Sequence, residues 1–104
     1  MLHHMKLKES PFIKIKNGSK TIELRLNDEK RQQVQVGDFI EFSLLDNPTE
    51  KIQTRVTALH HFNSFQELYA SLPKEKLGYS SSDTPNPDHM DEYYPREKQE
   101  QYGV

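Results

Sequence analysis

A small α+β domain is the fold class this sequence predicts, and three observations predict it. Ile22-Glu23-Leu24-Arg25-Leu26 carries the two-residue alternation of a half-buried strand, and Phe39-Ile40-Glu41-Phe42-Ser43-Leu44 reads as a second strand. Ser64-Phe65-Gln66-Glu67 matches a capping box, and Phe65, Leu68 and Leu72 then form the apolar stripe of a helix. A chain of 104 residues with a 33% apolar fraction can build one small core but not two, so residues 1–104 form a single domain.

Composition removes several function classes. There is no cysteine, which excludes a disulfide framework, a thiolate zinc site and a cysteine nucleophile, and fits a reducing cytoplasm. No apolar run approaches the ~18 residues of a membrane span, and Met1-Leu2-His3-His4-Met5-Lys6 lacks the apolar stretch of a signal peptide. The expectation is a cytoplasmic protein with no membrane partner. The net charge of −2 argues against a general polyanion binder, but charge is uneven. Residues 1–31 hold eight bases and four acids, a balance of +4, whereas the remainder holds six bases and twelve acids, a balance of −6. The first third could thus form a local patch for a phosphate-bearing ligand, or the two parts could attract each other on folding.

Taken in order, residues 4–8 alternate weakly, as a short edge strand with lysines on its outer side. Ser10 to Gly18 supports two readings. Phe12-Ile13-Lys14-Ile15-Lys16 before Asn17-Gly18 resembles one arm of a hairpin. Equally, Ser10 suits a helix N-cap, Pro11 the N1 position and Asn17-Gly18 a helix stop. Ile22, Leu24 and Leu26 face one side of the next strand, with Thr21, Glu23 and Arg25 on the other. Asn27-Asp28-Glu29-Lys30-Arg31 is a polar turn, and Gly37-Asp38 leads into the Phe39–Leu44 strand. After a turn at 45–50, a longer strand is expected over Lys51–Phe62, in a hairpin with the strand before it. The capped helix covers Phe65–Ala70 and ends at Pro73, and one more turn over 74–79 stops at Gly78. Residues 80–88 form a long surface loop. A short helix over 88–94 and another starting with Pro95 at N1 follow. Tyr93 and Tyr94, ~100° apart on a helix, cannot share one face, so one is core and one is free.

Of catalytic patterns there is little. His3, His4, His60, His61 and His89 have no metal-ligand spacing, so no metal site and no cofactor are expected. Glycine-rich phosphate loops and the Gly-x-Ser-x-Gly elbow are missing. Ser64 serves as a helix cap better than as a nucleophile. The strand after Gly18 remains: Lys20, Glu23 and Arg25 on one rigid element can form an anion or nucleotide site, or simply an exposed face with an ion pair.

Gly18-Ser19-Lys20-Thr21-Ile22-Glu23-Leu24-Arg25 resembles the Gly-x-Lys-x-x-Glu-x-Arg signature of ASCH domains, small PUA-like modules, in their stand-alone bacterial form. The Pro-Phe segment before it, Gly37-Asp38-Phe39-Ile40 after it, the Phe62–Leu68 segment and Tyr93-Tyr94 extend the resemblance along nearly the whole chain. It implies an α+β fold: a PUA-like mixed β-barrel of about five or six strands with flanking helices. It also favours a helix just before the signature, and a cleft lined by Lys20, Glu23 and Arg25. Ending at Gly103-Val104, the chain is expected to lack the closing C-terminal strand.

The resemblance implies a binding module for RNA or for a nucleotide or modified nucleoside. Lys20, Arg25, Lys30 and Arg31 would hold phosphate, Glu23 a base edge, and Tyr93 or Tyr94 would stack. The alternative is a small hydrolase acting on RNA or on an N4-acetylcytidine-type amide, with Lys20 and Glu23 as its reacting groups. That branch of the family resembles Gly-Arg-Lys-Thr-Ile-Thr-Ile-Arg, and Glu23 stands where its second threonine is the proposed nucleophile. A carboxylate cannot repeat that role without another mechanism, so binding is the leading expectation. A third reading makes Glu23 and Arg25 a purely structural pair.

Overall fold

The computed structural model describes residues 1–104. Its sheet has three strands in the order β1-β2-β3, with β1 spanning Leu2–Leu7, β2 Phe39–Leu44 and β3 Asn47–Arg55. β1 runs parallel to β2, and β2 is antiparallel to β3. A parallel pair needs a long crossover. Here helix α1 (Glu9–Lys16), the signature segment and a 3₁₀ turn at Arg31–Gln33 supply it.

Alternation in β1 buries His3, Met5 and Leu7 and exposes Leu2, His4 and Lys6. The register aligns Met5 with Phe42 and Phe42 with Ile52, one apolar row across the sheet. Phe12 of α1, Val34 and Val56 pack on this face with Met5, Leu7 and Phe42. A second cluster gathers Leu24, Phe65, Leu68, Leu77 and Val104, drawn from the signature segment, from α2 (Phe65–Ser71), from the following turn and from the chain end. Phe65 is its most buried member, at 1% exposure. Tyr94 stacks on Phe65 with ring centroids 6.1 Å apart.

The hairpin-or-helix alternative at Ser10–Gly18 resolves to helix. Its start differs from expectation: Lys8 is the N-cap, without a side-chain cap bond, and Pro11 sits within the first turn, where its missing N–H costs nothing. Gly18, at φ 83°, ends the helix. The capping box forms, with Glu67 N donating to Ser64 Oγ at 3.1 Å; the return bond runs from Asn63 N to Glu67 Oε2 at 3.2 Å. Asp28 caps the 3₁₀ turn by accepting from Arg31 N at 3.0 Å. Later, a 3₁₀ helix at Pro87–Glu92 replaces the expected 88–94 helix, and α3 is Arg96–Tyr102 with Pro95 as N-cap rather than N1.

Three strands stand where five or six are expected, and the reasons are local. Residues 20–28 form no regular strand. Thr21 N and Ile22 N both donate to Lys76 O, and Asn27 N donates to Gly103 O, so the segment meets a turn and a chain end rather than a partner strand. Its alternation survives: Leu24 and Leu26 are buried and Ile22 half-buried. The strand expected at 51–62 instead begins at Asn47, because Leu45-Asp46 alone makes the turn. It ends near Val56, where Gly37, at φ 95°, turns its partner away. Phe62 exchanges bonds with Val104 instead, at 3.0 and 2.9 Å. No helix is long and apolar enough to cross a membrane.

Polar contacts from Asp38 and Lys30 help to anchor β1. Asp38 Oδ2 accepts from buried His3 Nε2 at 2.8 Å and from Gln35 N at 3.0 Å, and Oδ1 accepts from the Met1 amino group at 3.1 Å. The bond from His3, with help from Gln35 N and the amino group, holds the Asp38 carboxyl down at about 2 against an ordinary 3.8. Lys30 Nζ donates to His4 O at 3.2 Å on the free edge of the strand.

Because the Asp38 value is depressed, its contribution is complete above pH 3.8 and is lost as pH falls toward 2. Denaturant midpoints measured across this acid range should fall steeply in the native protein and less steeply in Asp38→Asn. At Gly103, φ is 71° and ψ −170°, and an added Cβ would stand 2.9 Å from Phe62 O. Gly103→Ala should cost about 1–3 kcal/mol, read as a lowered thermal midpoint.

Candidate functional site

A cleft of about 390 Å³ opens where the two apolar clusters meet. Leu7 of the first cluster and Leu24 and Leu77 of the second reach its wall. The end of β1 contributes Lys6, the N-cap of α1 contributes Lys8, and α1 contributes Ser10, Pro11 and Lys14. The signature segment contributes Lys20, Glu23 and Arg25. Tyr69, Tyr79, Tyr93 and Tyr94 close the remaining side with Met90.

Alternation explains the polar centre. Glu23 and Arg25, two residues apart on an extended segment, share a face, and Arg25 Nε donates to Glu23 Oε2 at 2.9 Å. Lys20 has the opposite parity, yet its flexible stem brings Nζ to 3.1 Å from Glu23 Oε1. One carboxylate is thus held between two cations, with side-chain exposures of 11% for Lys20, 17% for Glu23 and 18% for Arg25. Arg25 Nη2 also donates to Lys6 O at 3.0 Å, which fastens the signature segment to β1.

The tyrosine wall has two halves. Tyr69 and Tyr79 bring their hydroxyls to 3.1 Å, and burial together with this bond holds the Tyr69 phenol above its ordinary range. It therefore remains a neutral hydroxyl at physiological pH. Tyr94 is half-buried against Phe65, while Tyr93 is 55% exposed with Lys8 Nζ 5.1 Å from its ring centroid. The turn that carries them is fixed by Gln99, a buried side chain whose Nε2 donates to Tyr94 O at 2.9 Å and Asp91 Oδ1 at 2.8 Å.

Comparison with known proteins adds the family. The ASCH domain matches residues 5–104. The chain belongs to the ASCH domain family. Two solved structures are similar to it. The crystal structure of hypothetical protein PH0355 is 29% identical with a TM-score of 0.79, over 99% of this chain and 92% of that one. The solution structure of protein PF0455 from Pyrococcus furiosus is 31% identical with a TM-score of 0.65, over 98% and 89%. No curated protein matches.

Of the residues expected at an ASCH cleft, the fold brings Lys20, Glu23, Arg25, Tyr93 and Tyr94 together. Lys30 and Arg31 stand apart from it. Lys30 is occupied by the β1 edge, and Arg31 Nη1 pairs with Asp28 Oδ2 at 2.7 Å, both consequences of the 3₁₀ turn that folds them away. Lys6, Lys8, Lys14, Tyr69 and Tyr79 line the ASCH cleft without having been singled out. The basic balance of residues 1–31 was the signal for the lysines; the tyrosines, ten residues apart across a turn, had none. Residues 80–89 contribute nothing to its lining. Lys74 Nζ draws that loop in on itself through Ser81 O and Asp83 O, at 2.8 and 2.6 Å.

Glu23→Gln leaves Lys20 and Arg25 facing each other without their shared carboxylate. Loss of the charged hydrogen bonds should lower stability by about 1.5–3 kcal/mol, measurable by chemical denaturation.

Proposed function

We propose that this cleft binds RNA or a nucleotide or modified nucleoside. The observation that carries the reading is the pairing of charge with aromatic surface. Lys6, Lys8, Lys14, Lys20 and Arg25 outnumber the one acid, Glu23, and face a wall of four tyrosines, in a chain whose net charge is −2. Cations placed beside aromatic faces are what a phosphate joined to a base requires. Tyr93 offers an exposed ring for stacking. Glu23, held still from both sides, offers fixed lone pairs to a base edge. The volume falls within the roughly 300–1,000 Å³ of small-molecule sites.

A hydrolase acting on RNA or an N4-acetylcytidine-type amide is the competing reading. Its weakness is chemical: an ammonium clamped to a carboxylate is a donor rather than a base, and Glu23 replaces the threonine of the amide-cleaving pattern. Thr21 is absent from the cleft lining.

Binding to a short single-stranded RNA should weaken as salt rises, and Lys20→Ala should reduce affinity about tenfold. Fluorescence anisotropy measures both, with chromatography of the RNA expected to find no product. Undetectable binding to RNA, nucleotides and nucleosides at low salt would refute the reading.

A further inference from the structure

The five cations of the cleft divide into two sets. Lys20 and Arg25 share one carboxylate, Glu23, at 3.1 and 2.9 Å, and Arg25 is further committed to Lys6 O. Lys6, Lys8 and Lys14 line the same cleft and form no ion pair; the charge of Lys14 is felt weakly by Asp83, whose carboxyl is held down mainly by Ser80. Lys8 Nζ faces the Tyr93 ring, a weak and displaceable partner for an ammonium. Lys14 is placed by a close approach. At Gly78, φ is +99°, and an added Cβ would lie 3.3 Å from Lys14 Cδ and equally near Lys20 Cβ and Cδ. The missing side chain lets both lysine stems cross that turn together.

We propose that Lys6, Lys8 and Lys14 form the phosphate seat of the cleft, and that its ligand is phosphorylated rather than a neutral nucleoside. The assignment rests on the nucleotide-type reading of the cleft and deepens it. Three ammonium groups without a carboxylate partner offer three charges to an anion, whereas the Lys20-Glu23-Arg25 clamp carries a net charge of only +1 and has both cations already bonded to Glu23. The clamp then reads the neutral, hydrogen-bonding part of the ligand, and the seat stands at the end of β1 and on α1, outside the signature. A phosphate on Lys8 also lies beside Tyr93, where the attached base can stack.

Titration of the purified protein with the four nucleosides, their 5′-monophosphates, inorganic phosphate and a mixed-sequence single-stranded RNA decides the matter. At low salt at least one monophosphate should bind about tenfold or more tightly than its nucleoside. The double variant Lys8→Gln, Lys14→Gln should abolish that preference, Lys14→Arg should retain it, and Lys16→Gln, exposed on the same helix, should leave it unchanged. If the phosphate belongs to a strand, RNA binds tighter than any monophosphate, and its log–log salt slope falls by about 0.7 for each lysine removed. If it belongs to a free nucleotide, RNA gains nothing over the monophosphate. Equal binding of nucleosides and monophosphates overturns the phosphate seat and leaves the nucleotide-type cleft standing, as does a preference that survives the double variant. Failure of every probe to bind overturns both.

Discussion

The Arg25 guanidinium holds the two parts of this fold in register. Its Nε bonds Glu23 within the signature segment, and its Nη2 reaches Lys6 O on β1. The segment has no ladder of its own, so side-chain bonds do what a neighbouring strand does elsewhere in a sheet. Apolar material is scarce, and it gathers in clusters of six and five buried residues rather than in one continuous core. The seam between them is left for polar groups, and a cleft forms there because neither cluster is large enough to fill it. Glu23 makes the seam tolerable: a guanidinium and an ammonium brought this close would repel each other without a carboxylate between them.

On the proposed reading the signature therefore serves the scaffold and the binding site together. Removing Glu23 or Arg25 weakens the scaffold as well as any site, so a loss of binding in those variants alone would not separate the two roles. The lysines at the end of β1 and on α1 lack this entanglement. Lys6 and Lys8 have exposed side chains on one regular element and its margin, and Lys14 is steered by Gly78 rather than by a charge partner. Rigid placement comes from the backbone, and charge remains available to solvent or ligand.

Much of the architecture can be read in the chain because it depends on local chemistry. Ser64 and Glu67 start α2 through their own capping bond, and the strand expected at Phe39–Leu44 forms over those residues. The helix at Glu9–Lys16 could not be decided from its own residues, since Asn17-Gly18 closes a hairpin as well as a helix. What decides it is distant: β1 pairs with β2, which leaves α1 nothing to pair with as a strand. The same dependence on partners explains the missing strands. Residues 20–28 have the alternation of a strand but meet only Lys76 O and Gly103 O. Of the site, the signature triad was legible from spacing and family resemblance. Lys30 and Arg31 misled because sequence proximity to the signature says nothing of a 3₁₀ turn that carries them off, while Lys8 and Lys14 became neighbours of Lys20 only through the return of the chain along α1.

The distribution of aromatic residues has a practical side. The chain has five tyrosines and no tryptophan, and Tyr69, Tyr79, Tyr93 and Tyr94 line the cleft, leaving Tyr102 as the one elsewhere. Four of the five residues that give near-ultraviolet emission therefore stand at the walls of this cavity. With no indole to mask it, a quenching ligand seated there dims most of the molecule's intrinsic light, and the unlabelled protein is its own optical sensor.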